Sequence, residues 1–333
     1  MYFDAHTHLN SEELYPDRKT YVDNFVKVWW VGLINIGMNQ LYNTNAIQIC
    51  KSLYTHDTSP LIGNTDKSGR YAKLSYDKNI IPKTRNFATP QVYCTIGLHP
   101  YEVVTGDITD TNMHFKIKEM CMLYAPYKEF IVGIGECGID TNQPWSEETL
   151  SVQQDLFTQQ CDLARQRWLP IVIHSRANRE ATHHVLKNFT DLTIYFHCRS
   201  YTPEEIKIIK KIYPDFYIGF TWNITYPKAI DIRKSLRYLV HEDENYPENI
   251  ISGRPSFQEG VGGDQYKWDS KSQELITNNI LIETDAPYLP PQSQRWEQNQ
   301  PAFIKETYEY ISQLLWKDIT QQVITNTKKC YNI

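Results

Sequence analysis

The feature that most constrains the fold of this chain is a series of eight short, almost continuously apolar runs separated by stretches with helical character. Runs of this length without polar alternation are typical of parallel strands that are buried on both faces. Eight strands that alternate with helices predict either a (β/α)8 barrel or a doubly wound sheet. The predicted strands cover residues 2–5, 31–37, 92–97, 130–135, 170–174, 192–197, 216–220 and 280–283.

The clearest helical pattern between these strands covers residues 146–167. Its apolar residues recur at helical spacing, with two glutamates in the predicted first turn and two arginines in the last, where they complement the helix dipole. Pro203 is predicted to open another helix, because proline is favoured at the first helical position. A Rossmann-type sheet would need G-x-G-x-x-G after the first strand, but the sequence there is DAHTH. A TIM-type α/β barrel is therefore the predicted fold.

Two polar segments, residues 52–90 and 241–279, do not fit the alternation of strands and helices. A minimal barrel needs about 250 residues, so these two segments account for about the whole excess length of the 333-residue chain. We predict a single TIM-type (β/α)8 barrel domain over residues 1–333 that carries two insertions. Long insertions of this kind are expected to be lids or surface loops.

Charge, cysteine content and hydropathy indicate how a substrate could be attracted and in which compartment the protein is expected. The net charge is −5, so local cations or bound metal would have to attract any nucleic-acid substrate. Seven scattered cysteines without a C-x-x-C pair argue against a disulfide framework and favour a reducing compartment. No apolar run reaches the roughly 18 residues of a membrane span, and metal-competent residues already begin at His6, which argues against a signal peptide. We expect a cytoplasmic protein, with the nucleus as the alternative, that needs no membrane and no obligate protein partner.

Metal-competent side chains stand at the ends of five of the eight predicted strands. The active site of a β/α barrel lies at the carboxyl ends of its strands, so these side chains are expected to converge, and converging imidazoles and carboxylates predict a metal site. A single histidine at a strand end would more often be structural, and an isolated aspartate before Ala-Pro would more often begin a turn. The prediction therefore depends on the whole set, which is His6, His8, Glu136, His174, His197 and Asp285.

Six ligands exceed the four that a single tetrahedral zinc ion takes. They suit two divalent ions a few ångströms apart, and Glu136, central among the six, is the predicted bridge. Four imidazoles favour zinc or manganese over magnesium, which prefers oxygen ligands. We expect two divalent metal ions (Mg, Mn or Zn), with Asp285 binding one of them and accepting a proton from the attacking water.

A series of local motifs, found in order along the chain, resembles the TatD family of metal-dependent deoxyribonucleases, within the amidohydrolase-like barrels. No single motif is specific for this family, but the whole series is highly specific for it. They are FDAHTHL at residues 3–9, GLHP at 97–100, GECGID at 135–140, VIHSR at 172–176, FHC at 196–198, ETDAPYL at 283–289 and NQPA at 299–302.

The resemblance implies roles for individual residues and an activity. It implies that His99 and Arg176 lie near the metals and contact the substrate phosphate, and that the six residues named above bind the metals. It also implies hydrolysis of DNA phosphodiester bonds, often from the 3′ end, with a divalent cation such as magnesium. We therefore predict a metal-dependent hydrolase that acts on DNA or nucleotides, with Asp285 and Glu136 as its catalytic residues.

Departures from the family pattern concern substrate choice rather than the metal. Arg199 stands where the family usually has an aromatic residue, and residues 290–297 replace a His/Arg-Gly pattern, with Arg295 as a partial substitute. Two interpretations stay open for Arg176, a phosphate contact or a surface salt bridge, and two for Trp222, base stacking or burial of the barrel rim. The competing functions are a two-metal hydrolase of another small phosphoester, ester or amide, and a catalytically silent binding barrel. The silent barrel predicts a missing ligand, and none is missing.

Overall fold

The computed structural model describes residues 1–28, 30–55, 91–142, 145–198, 201–241 and 278–333. Within these ranges, eight parallel strands form one sheet in which each strand pairs with the next along the chain. The predicted (β/α)8 barrel is confirmed. The strands are β1 (Tyr2–Thr7), β2 (Trp30–Asn35), β3 (Gln91–Ile96), β4 (Ile131–Asp140), β5 (Ile171–Arg176), β6 (Ile194–Phe196), β7 (Phe216–Phe220) and β8 (Ile280–Ile282).

The barrel is closed by hydrogen bonds between β1 and the segment that follows β8. The backbone N–H of Asp285 donates to the His6 carbonyl at 3.0 Å, and the N–H of His8 donates to the Ala286 carbonyl at 2.8 Å. The buried Asp4 carboxylate accepts hydrogen bonds from the Thr284 N–H at 3.0 Å and from the Thr284 hydroxyl at 2.6 Å. This closure brings two candidate ligands of β1 beside a third that follows β8.

Helices surround the barrel, and two of the described helices begin with a capping box. The predicted helix over residues 146–167 begins one residue later, because Ser146 is its N-cap and forms a reciprocal capping box with Thr149. Thr202 caps the helix that begins at Pro203 in the same way, through Glu205. The helices in the described ranges are α1 (Arg18–Lys27), α2 (Gln40–Thr55), α3 (Tyr101–Val104), α4 (Met113–Tyr127), α5 (Glu147–Arg167), α6 (Arg179–Leu186), α7 (Pro203–Ile212), α8 (Ile230–His241), α9 (Ile304–Leu314) and α10 (Thr320–Tyr331).

Buried side chains form two layers, one between the strands and the helices and one inside the barrel. The inner layer includes Phe3, Ile34 and Val172, each fully buried. Helix α10 covers the amino-terminal end of the barrel, where the Tyr331 hydroxyl donates to the Ala5 carbonyl at 3.0 Å. The Tyr331 ring meets the Tyr195 ring edge-on at a centroid distance of 6.0 Å. The barrel interior is thus filled from below, and the strand ends that carry the predicted ligands lie at its carboxyl end.

Several strands continue past the apolar runs that predicted them. β4 extends to Asp140 and β5 to Arg176, and these two residues are paired in the parallel ladder. Pairing requires only backbone groups in register, so the ladder continues through polar side chains at the barrel mouth. Residues 52–55 belong to α2, His241 ends α8, and residues 278–279 directly precede β8; the remainder of the predicted insertions, residues 56–90 and 242–277, lies outside the described residues. None of the described helices is both long enough and apolar enough to cross a membrane.

Candidate metal centre

The six predicted ligands meet at the carboxyl end of the barrel. Three of them form a first group in which the Nε2 atoms of His6 and His8 lie 3.2 Å apart. Each of these nitrogens lies 3.5 Å from Asp285 Oδ1. Asp285 has a positive φ of 53°, in the left-handed region that aspartate tolerates better than most residues, and this turn directs its carboxylate back to β1. Three side chains from β1 and the loop after β8 therefore present ligand atoms to one point.

The second group joins β4, β5 and β6. Glu136 Oε2 lies 2.7 Å from His197 Nε2 and 3.4 Å from His174 Nδ1. Its other oxygen, Oε1, lies 3.6 Å from His8 Nε2 in the first group. The His6 and His197 rings stack at 4.0 Å between the groups. All six side chains thus form one cluster, with Glu136 between its two halves.

A backbone carbonyl and a carboxylate orient two of the imidazole rings. The Nδ1 atom of His8 lies 3.2 Å from the Ile36 carbonyl, and His174 Nε2 lies 3.2 Å from Asp140 Oδ2. A hydrogen bond at one ring nitrogen leaves the other free to bind metal and fixes the tautomer. The sequence analysis did not assign a role to Asp140. Its position four residues after Glu136 was the available signal, because residues at even spacing on a strand share a face.

Glu283 is a second residue that the sequence analysis missed. It is fully buried beneath the cluster, where it accepts hydrogen bonds from the Tyr195 hydroxyl and, at 2.5 Å, from the Cys198 N–H. One of its oxygens lies 3.8 Å from His6 Nδ1. Burial, together with the nearby charge of Asp285, raises the pKa of Glu283 well above its usual value. This carboxyl group belongs to the barrel interior and supports the cluster from below.

The electrostatics of the cluster favour a positive charge at its centre. Burial lowers the pKa of His174, but its hydrogen bond with Asp140 and the nearby charge of Glu136 outweigh burial and raise that pKa to about 9. The pKa of His8 is also raised, because the hydrogen bond to Asp285 and the charge of Glu136 outweigh burial. Burial and the neighbouring His197 hold the pKa of His6 well below its usual value, which keeps that ring neutral and able to coordinate.

The cluster fits divalent metal. Glu136 Oε2 is buried and has no hydrogen-bond partner, although it lies close to two imidazole nitrogens. Ligand atoms that face one another without a proton between them are expected where a cation binds. Overlapping sets of three potential ligand atoms lie within 4.8 Å of one another in the described residues, and they are His6, His197 and Asp285; His6, His8 and Glu136; His99, Glu136 and His174; and His197, Cys198 and Glu283.

The two predicted phosphate contacts both line the cavity above the cluster, whose volume is about 1150 Å³. His99 is buried, and its ring lies 4.2 Å from that of His174. The Tyr101 N–H donates to His99 Nδ1 at 3.0 Å, so Nε2 carries the proton of the neutral ring. Burial, together with His174, lowers the pKa of His99 to about 3. Arg176 is exposed at the end of β5 and lines the same cavity.

Trp222, unlike His99 and Arg176, does not line the cavity. It begins a 3₁₀ turn after β7 and packs on the Tyr310 ring at a centroid distance of 6.5 Å. Of the two interpretations given above for Trp222, this contact favours burial of the barrel rim.

An eight-stranded parallel barrel with imidazoles and carboxylates clustered at its carboxyl end is the arrangement of a metal-dependent hydrolase. The family model described as TatD related DNase matches residues 3–243 and 263–332. The chain therefore belongs to the TatD family of metal-dependent hydrolases.

Individual relatives agree with this assignment. YabD of Bacillus subtilis, named an uncharacterized metal-dependent hydrolase, is 22% identical over 338 residues that span all of both chains. YcfH of Escherichia coli, with the same kind of name, is 25% identical over 67% of this chain and 66% of its own. Among solved structures, the Escherichia coli TatD homologue YJJV has a TM-score of 0.66 at 17% identity and covers 100% of this chain and 98% of its own. A TatD family hydrolase from Entamoeba histolytica has a TM-score of 0.67 at 14% identity, with coverages of 99% and 97%. At these identities, the solved structures support the fold alone.

Proposed function

We propose that this protein is a TatD-type deoxyribonuclease that cleaves DNA phosphodiester bonds with a metal-activated water and removes nucleotides from the 3′ end. The observation that carries the proposal is the six-residue cluster, centred on Glu136, at the base of an open cavity. The family description, TatD related DNase, supports the choice of DNA as substrate.

The proposed ligands form two sets that share one carboxylate. His6, His8 and Asp285 would hold one divalent ion, His174 and His197 a second, and Glu136 would bridge the two. When bound, the two cations would neutralise the charge of the phosphodiester and acidify the attacking water. Because four of the six ligands are imidazoles, we expect manganese or zinc to bind more tightly than magnesium.

Asp285 is the proposed general base. Its carboxylate lies at the edge of the cluster, lines the cavity and faces the two imidazoles of β1. A carboxylate in this position can accept a proton from a water molecule in the cavity while its other oxygen remains a ligand. Glu136 would supply the negative charge that holds the two halves of the site together.

His99 and Arg176 are the proposed phosphate contacts. The hydrogen bond from Tyr101 occupies His99 Nδ1, so the neutral ring can offer only an Nε2–H donor to a phosphate oxygen. Arg176 supplies a planar set of donors from the rim of the cavity. Because the overall charge is −5, these local donors and the metal would provide the attraction for an anionic substrate.

The test is an assay of the purified protein on single- and double-stranded DNA with Mg, Mn or Zn, in which the product ends are mapped. Stepwise loss of 3′ nucleotides that stops on chelation is the expected result. Metal-dependent cleavage of a small phosphoester, ester or amide without cleavage of DNA would instead establish the alternative, a two-metal hydrolase of another substrate. A protein that binds metal and cleaves none of these compounds would contradict the proposal.

A further inference from the structure

The residues that line the cavity above the metal cluster are of two chemical kinds. Arg176 and Asn178, from the end of β5 and the start of α6, are polar. Tyr101, Tyr288 and Leu289 are aromatic or apolar, and we call these three residues the aromatic wall. A nucleotide has the same division, since its phosphate is anionic and its base is flat and largely apolar on its faces. The aromatic wall is therefore a candidate site for the base.

Tyr288 is the aromatic residue of this wall that lies beside the metal cluster. Its ring centroid lies 6.1 Å from that of His8, and the two ring planes meet at 69°. The side chain remains 44% exposed although it lines the cavity. An aromatic ring that is half exposed inside a cavity leaves a face available for a planar ligand.

The turn that carries Tyr288 is held firmly. The side-chain amide of Asn299, which is only 1% exposed, donates to the carbonyls of Thr284, Tyr288 and Leu289 at 2.9, 2.5 and 3.2 Å. The Tyr288 N–H in turn donates to the Asp285 carbonyl at 2.9 Å. A buried amide with these partners fixes the backbone on both sides of the ring. The backbone that carries the ring is thus pre-organised beside Asp285, which reduces the ordering cost when a ligand binds.

We propose that Tyr288 is the stacking platform for the nucleobase of the nucleotide whose phosphate is attacked. This inference rests on the proposed nuclease function. Every base presents a π-face, so the contact tolerates all four bases and selects nucleotides over phosphodiesters that lack a base. The buried Asn299 of the NQPA motif acts as the positioning residue for this platform.

The experiment compares two oligodeoxynucleotides that differ only at the 3′-terminal residue, which is either a normal nucleotide or an abasic tetrahydrofuran residue. They are tested with the metal-loaded wild type, Tyr288→Leu and Tyr288→Phe. We expect Tyr288→Leu to lower kcat/KM on the normal oligonucleotide about 10-fold or more. We expect it to change cleavage of the abasic oligonucleotide by less than about twofold, because that substrate has no base to stack. Tyr288→Phe keeps the ring and should behave as the wild type. Phe115→Leu, which removes an exposed aromatic residue on α4, is the matched control and should have no effect.

The outcomes separate the platform from the nuclease function. If wild type cleaves both oligonucleotides and Tyr288→Leu lowers both rates equally, the ring acts through His8 on the metal centre, and the platform is overturned. If wild type cleaves neither, the proposed nuclease function fails. The platform is then decided by binding of the labelled oligonucleotides to metal-loaded Asp285→Asn protein. Tighter binding of the normal oligonucleotide that Tyr288→Leu abolishes would support the platform, and equal binding of the two would overturn it.

Discussion

Asp285 has two proposed roles, metal ligand and general base, and one substitution can separate them. Asparagine adopts a positive φ as readily as aspartate and keeps one coordinating oxygen, but it cannot take the proton from water. We expect Asp285→Asn to retain most of its metal and its melting temperature and to lose about 10²–10⁴ in turnover. Metal analysis and steady-state kinetics on the same preparation would measure both quantities.

Glu136→Gln is the matched comparison. Glutamine removes the charge between the two halves of the cluster, so this variant should lose metal as well as rate. Near wild-type turnover by Asp285→Asn with both ions bound would show that another group is the base. His99 would be a poor replacement, because the Tyr101 N–H already occupies its Nδ1 atom.

Asp140 offers a second test at the scale of one residue. It accepts hydrogen bonds from the Asn142 N–H and pairs with His174 Nε2, while Gln153 holds its backbone at both N–H and carbonyl. An asparagine amide has only one oxygen, so it cannot accept hydrogen bonds from both the Asn142 N–H and His174. The His174 ring would then either turn or carry its proton on Nδ1, the nitrogen that faces Glu136. We expect Asp140→Asn to weaken metal binding roughly 10- to 100-fold.

The backbone contacts from Gln153 should keep the fold of Asp140→Asn intact, which an unchanged circular dichroism spectrum would verify. Competition titration with a metal-binding dye would give the affinities. Wild-type affinity at both sites would mean that the carboxylate of Asp140 does not orient His174.

At the scale of elements, we predict that the segment between α8 and β8 can be shortened. α8 ends at His241 and β8 begins at Ile280. Connections from a helix to the next strand usually need only about 2–6 residues. We expect replacement of residues 242–277 by a short Gly/Ser linker to leave the melting temperature within a few degrees of wild type and to change mainly substrate preference. Thermal unfolding and relative rates on several substrates would test this, and a shortened chain that fails to fold would show that the segment is structural.

The strands also show how much of the fold and of the candidate site can be predicted from the sequence. All eight strands were predictable, because burial on both faces leaves a continuous apolar run for each of them. The strand ends were not, since β4 and β5 continue to Asp140 and Arg176, which pair in the parallel ladder although their side chains are polar, and Glu136 lies in a register shift of β4. The six clustered residues were predictable from chain position alone, because parallel strands end at one edge. The contact of Glu283 with Tyr195 joins residues 88 positions apart, and the hydrogen bonds of Asn299 depend on how the Tyr288 turn folds back, so both needed the three-dimensional structure.

At the scale of the whole molecule, the cluster draws ligands from five strands, so bound metal should stabilise the entire barrel. Protein stripped with a chelator is expected to melt at a lower temperature than the metal-loaded form. A metal present at 100 times its dissociation constant should add about 2.7 kcal/mol to the free energy of unfolding for each filled site. Calorimetry across a manganese titration would measure this. An unchanged transition at saturating metal would contradict binding by residues of several strands.

The hydrogen bonds that join β1 to the segment after β8 determine when, during synthesis, the cluster can form. The ribosome adds His6 and His8 long before Asp285 and Tyr331, so the partners of β1 in the segment after β8 and in α10 are absent until those later residues have been made. Until then, the nascent sheet has an unpaired edge, which is prone to wrong partners. Because Asp285 is one of the six clustered residues, a chain arrested before residue 285 lacks a complete cluster, and the proposed hydrolysis would begin only after the segment that follows β8 has been made.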